Sequence, residues 1–114
     1  MEGFYAIYYT GRSGSGFGVL VLKGGIITGA DAAGGFYDGE YSTDEGTKNL
    51  KGTIKMTVPP GVPLVTGIPA GQQSYTLEFP ISAPLDSIEQ KLLRVETPTG
   101  PVNVNLKKIR DFPG

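Results

Sequence analysis

A chain of 114 residues with neither histidine nor cysteine has few routes to covalent chemistry. Thiol nucleophiles, Ser-His and Cys-His relays, disulfides and the usual zinc, haem and iron–sulfur ligand sets all lack their parts. Carboxylates and phenols remain. Asp38 and Glu40 alternate within GFYDGEYS, which places both on one face of a strand, where paired acids can divide general-acid and general-base work. The same alternation turns Tyr37 and Tyr41 inward and therefore turns the two acids to water. Asp31, in Thr-Gly-Ala-Asp, is placed to bond backbone N–H groups of its own turn. Asp44 and Glu45 fall at a loop tip, an ordinary polar turn unless a partner docks there. The expectation is a protein that is not an enzyme, with no catalytic residues, no metal and no cofactor.

Gly11 to Gly18, GRSGSGFG, has the glycine density of a phosphate-cradling loop but not its context. No Lys-Ser/Thr pair follows, and the glycines open a strand instead of a helix whose N-terminus would meet the anion. It reads as a hairpin turn. The tyrosines Tyr5, Tyr9, Tyr37, Tyr41 and Tyr75 read first as core or rim packing, although a phenol can also hydrogen-bond a buried polar ligand. If the interior holds a ligand, Tyr37, Tyr41, Tyr75 and Phe79 are the residues expected to touch it.

These side chains need strands to hold them. Residues 3–10, GFYAIYYT, are aromatic and β-favouring, and Gly11 to Ser15 supply a turn. Gly16 to Leu22 alternates, then Lys23-Gly24-Gly25 turns the chain into Ile26-Ile27-Thr28, a hairpin. GFYDGEYS makes a fourth strand, closed by the turn Thr43-Asp44-Glu45-Gly46. Leu50, Gly52, Ile54, Met56 and Val58 share one face, with Lys51, Thr53, Lys55 and Thr57 on the other. The same period of two runs through Tyr75 to Ile81 and Val102 to Ile109. Residues 87–95 fit either a short helix or a turn and strand; the turn and strand are favoured.

About eight short antiparallel strands without a long amphipathic helix make one all-β domain over 1–114. A closed antiparallel barrel, lipocalin-like, is the expected fold, with a flattened sandwich as the alternative. Glycines inside strands, at 16, 18, 39 and 52, suit the sharp bends of such a barrel. The segment 58–71, VPPGVPLVTGIPAG, holds four prolines and cannot be a central strand. Its apolar residues call for cover, from a barrel end or from another chain.

Net charge is −1, which gives no bulk attraction to nucleic acid or to an anionic membrane. The distribution is uneven: residues 1–46 carry two bases against six acids, and residues 47–114 carry eight bases against five. Lys107, Lys108 and Arg110, diluted by Asp111, are too small a cluster for direct nucleic-acid binding. No apolar run approaches a membrane span and the N-terminus has no cleavable signal pattern, so a soluble, cytoplasmic protein is expected. Strand one is apolar on both sides, Phe4, Ala6 and Tyr8 against Tyr5, Ile7 and Tyr9. One barrel interior cannot hold both sets, so a homodimer is expected.

Taken in order, Gly3-Phe4-Tyr5-Ala6-Ile7, Gly16-x-Gly18-Val19-Leu20-Val21, Gly25-x-Ile27-x-Gly29-Ala30-Asp31 and Tyr37-x-Gly39-x-Tyr41-Ser42-x-Asp44-Glu45 form a pattern. It resembles the GrlR family of negative regulators of type III secretion. Tyr75-x-Leu77-x-Phe79-Pro80 and the closing strand extend the resemblance over nearly the whole chain, most weakly across 59–73. The resemblance implies an eight-stranded lipocalin-like barrel, often dimeric, whose founding member restrains a helix-turn-helix transcription activator by direct binding. There an acidic Glu-Asp-Glu-Asp loop makes the contact; here Thr43, Asp44, Glu45 and Gly46 stand at the matching positions, keeping the central two acids.

Two functions from different classes follow. The first is a non-enzymatic regulatory protein that engages a basic protein partner, which the resemblance implies is a helix-turn-helix activator, through Asp38, Glu40, Asp44 and Glu45. The second is a carrier or sensor of a small apolar ligand held in the barrel.

Overall fold

In a computed structural model of the protein, residues 2–85 and 93–113 are described. They form eight strands: β1 (Gly3–Gly11), β2 (Gly14–Lys23), β3 (Ile26–Asp31), β4 (Phe36–Asp44), β5 (Asn49–Val58), β6 (Tyr75–Pro84), β7 (Leu93–Thr97) and β8 (Gly100–Arg110). All pair antiparallel in one sheet of order β6-β5-β4-β3-β2-β1-β8-β7. The sheet curls into a nearly closed barrel. Its two ends, β6 and β7, come into contact, but no ladder pairs join them among the described residues. Pro80 and Pro84 lie in β6, the edge position where a missing backbone donor is tolerated.

Side-chain alternation decides which face is inside. On β5, Leu50, Ile54 and Val58 are buried while Lys51, Thr53 and Lys55 are exposed. On β6, Phe79 and Ala83 are buried and Glu78 is exposed. Tyr5 and Ile7 of β1, Leu22 of β2, Ile27 of β3 and Tyr37 of β4 complete a packed core with Leu50, Ile54, Phe79 and Ala83. The strands pass close enough for the carbonyl of Thr53 to occupy the space that a Cβ on Gly39 would need, so this β4 position admits only glycine without a backbone shift.

Four connections lie at one end of the barrel, 11–14, 31–36, 58–75 and 97–100; the hairpins at 23–26 and 44–49 lie at the other. The proline-rich segment folds across the first end. Ser13 N–H donates to Val65 O at 2.7 Å, and the Thr66 and Thr99 hydroxyls are 2.9 Å apart. It thus bridges the β1–β2 and β7–β8 turns as a lid, with Thr66 buried. Residues 86–92, where the sequence leaves helix and strand open, lie outside the described residues. The strand favoured there is present from Leu93. No helix among the described residues is long and apolar enough to cross a membrane.

Candidate functional site

The core does not fill the barrel. Residues from β1 to β6 pack tightly, whereas the inward residues of β7 and β8, Leu93, Val95, Val102, Val104 and Leu106, are only half-buried. They face a cavity of about 1390 Å³, walled opposite by Ile54 and Phe79 and roofed by Val62, Leu64 and Val65 of the lid. Ligand sites commonly span roughly 300–1,000 Å³, so this space is ample for one small molecule, the occupancy an eight-stranded barrel allows. Ser82 of β6 and Arg94 and Glu96 of β7 also border it, which places an opening at the β6–β7 seam. Arg94 and Glu96 are exposed and paired with one another at 2.7 Å.

The lining is largely aliphatic and aromatic; at the lid end it carries the hydroxyls of Thr66, Thr97 and Thr99 and a polar cluster centred on the Asp31 carboxylate. Tyr37 donates its hydroxyl proton to Asp31 Oδ2 at 2.6 Å. The other carboxylate oxygen, Oδ1, accepts the N–H groups of Ala33 and Gly35 at 3.0 and 2.9 Å. Asp31 therefore caps its own turn, as its sequence context predicts, and holds the β4 phenol as well. Tyr9 stands close enough to Tyr37 and Asp31 for both to bear on its phenol. Its ring lies over Gly16, its partner across the β1–β2 ladder, in space that a side chain at 16 would occupy. Burial first, and then the Asp31 charge, push the Tyr9 phenol up to about 12. Burial and the bond to Asp31 raise Tyr37 as well. Both stay protonated in neutral solution and present hydroxyls, not phenolates, to the cavity.

Of the tyrosine and phenylalanine candidates, Tyr37 and Phe79 line the cavity. Tyr41 is half-buried against the core near the opposite end, where it pairs with Gly52 and its N–H donates to Gly25 O. Tyr75, at the start of β6 opposite Val58, is also half-buried. Its hydroxyl is buried and has no hydrogen-bond partner among the described residues. Neither side chain belongs to the cavity wall. Both are turned inward, but neither reaches the open space. Tyr9 and Asp31, which do line it, escaped the sequence reading as ligand contacts. The available signal was positional: Gly16 faces Tyr9 across a four-residue turn.

The acidic candidates are on the outside. Asp38 and Glu40 project from β4, with Lys55 of β5 directly across from Asp38. Asp44 ends β4, and its Oδ1 accepts Gly46 and Thr47 N–H at 2.9 and 3.3 Å. Those backbone donors hold its carboxyl below the usual range. Glu45 follows at the exposed tip. Asp44 and Glu45 thus lie at the barrel end opposite the cavity's polar cluster. Among the described residues no group of three acids converges as a metal site would require.

On the outer face of β1, Phe4 stacks on Phe112 of the C-terminal tail with ring centroids 5.9 Å apart, so part of that apolar row is covered by the chain itself. Tyr8 is not covered; it lies beside Phe17, and Ala6, Val19, Ala30 and Phe36 continue the row across β1 to β4. Tyr8, Phe17, Val19 and Phe36 are all exposed. In comparisons with known proteins, no family model matches this chain and no curated protein does.

Proposed function

We propose that the protein is a non-enzymatic binding barrel that takes one small, largely apolar ligand in its interior. The observation that carries this is the cavity itself. A domain of this size has little stability to spare, and close packing is the norm for protein interiors. A void walled by Leu93, Val95, Val104, Leu106 and Phe79 forfeits dispersion contacts unless something fills it. Extraction of freshly purified protein with organic solvent, followed by mass spectrometry, tests the reading. One amphiphilic compound near one equivalent per chain is the expected result.

A second reading is regulatory. The resemblance to the GrlR family, together with the exposed acids Glu45, Asp38 and Glu40, supports a protein that restrains a basic partner, such as a helix-turn-helix activator, by direct binding. Lys55 beside Asp38 and Lys51 near Asp44 dilute the patch along β4, which makes Glu45 its most distinct element. The two readings are compatible, because the polar cluster of the cavity and the tip lie at opposite ends of one sheet. The exposed row from Tyr8 to Phe36 supports pairing with a second copy, since a two-fold interface needs one self-complementary patch.

A further inference from the structure

We propose that the ligand's head group is a hydrogen-bond donor without negative charge, an alcohol or an amine, seated against Tyr9 and Tyr37 beneath the lid, and that carboxylates are excluded. This rests on the interior of the barrel being a ligand site and specifies its chemistry.

The polar end of the cavity is assembled around one carboxylate. Asp31 takes two backbone N–H groups on Oδ1 and the Tyr37 proton on Oδ2. No cation faces it: among the described residues, the charged side chains bordering the cavity besides Asp31 are Arg94 and Glu96, exposed at the seam and paired with each other. Lys108 lies on the inward side of β8, but at the other end, where it binds Asp111 at 2.6 Å, and it is not part of the wall. An anionic head entering under the lid would thus meet a like charge at a half-buried site with nothing to neutralise it, an arrangement that costs more there than between fully solvated groups.

A donor finds the opposite. Tyr37 has committed its one proton to Asp31, so its oxygen offers acceptor lone pairs, and the neighbouring Tyr9 oxygen offers lone pairs also. An alcohol or ammonium head would complete this cluster while its chain lies along Val104 and Leu106 of β8. An amine would gain in addition from the field of Asp31.

Displacement of N-phenyl-1-naphthylamine, an uncharged apolar fluorophore, by decan-1-ol, decylamine and decanoate at pH 7.5 tests the assignment, each competitor kept below its aggregation threshold. Decanol and decylamine should displace the probe at least ten-fold more effectively than decanoate. Asp31→Asn keeps an acceptor for Ala33 and Gly35 and removes the charge, and should narrow the gap between decanoate and decanol several-fold. Tyr9→Phe should weaken decanol several-fold more than it weakens the probe, and it leaves the Tyr37–Asp31 bond in place should Asp31→Asn fold poorly. Decanoate binding as tightly as decanol to the wild type would overturn the head-group assignment and leave the cavity reading standing. Absence of probe binding would overturn both.

Discussion

The hydroxyl of Tyr37 and the carboxylate of Asp31, on consecutive strands, meet at 2.6 Å and lock the β3–β4 hairpin where the lid closes on the cavity. Such a bond serves the fold and the site together. It holds the turn through Ala33 and Gly35 and fixes the orientation of the carboxylate that lines that end of the interior.

Tyr37→Phe removes this bond and leaves an inward carboxylate oxygen short of a donor. Hydrogen bonds to charged groups are worth about 1.5–3 kcal/mol, so a loss of that size is expected in urea unfolding. An unchanged urea midpoint would show that the bond contributes nothing to stability.

The raised phenols also set an alkaline limit. The pKa of Tyr9 is about 12 in the folded protein against about 10 in an unfolded chain, and Tyr37 is shifted in the same direction. A group with a raised folded-state value contributes stability that is fully present below the unfolded value and is lost as pH climbs toward the folded one. Stability should therefore decline between about pH 10 and 12. Absorbance titration should show a phenol ionising near pH 12 that is lost in Tyr9→Phe.

Packing should differ between the two walls of the barrel. Phe79 is 8% exposed in the tight core, and Phe79→Ala should cost about 3–5 kcal/mol. Val104 faces open space, and Val104→Ala should cost under about 1.5 kcal/mol, because no close-packed neighbours are lost. Tyr75→Phe, which deletes a buried hydroxyl without a partner among the described residues, should be neutral or stabilising. Paired urea midpoints check all three.

Replacing Asp44 and Glu45 with alanine separates local structure from docking. Asp44 holds two backbone N–H groups, so Asp44→Ala alone should lower the melting temperature by loosening its turn. Glu45→Ala should leave the melting temperature unchanged and slow association with a basic partner at low salt. Equal association rates for wild type and Glu45→Ala would remove the tip from the regulatory reading.

Light scattering at tens of micromolar should give twice the monomer mass, and Phe17→Ser with Val19→Ser should return it to the monomer mass. A monomeric wild type would contradict pairing through the outer face.

Much of this architecture was legible in the alternation itself. Leu50, Ile54 and Phe79 are buried and Lys51, Lys55, Glu78 and Asn103 exposed, as a period of two requires once one face is apolar. The proline-rich segment announced itself as a loop, but that its Val65 and Thr66 bond Ser13 and Thr99 depends on where two distant turns arrive in the closed barrel. The site was less legible for the same reason. Local spacing shows that Asp31 can cap its turn; that Tyr9 reaches it from β1 follows from strand coiling across β2. Parity likewise puts Tyr41 and Tyr75 inside, yet parity alone does not say which inward side chains meet the open space.

The central claim, that the barrel interior is a binding site, is tested most directly by titrating the wild type and Val104→Trp, whose indole would occupy the space, with N-phenyl-1-naphthylamine. One equivalent should bind wild type with strong fluorescence enhancement, and Val104→Trp, folded by circular dichroism, should bind at least ten-fold more weakly. Equal binding by both proteins, or none by the wild type, would contradict it.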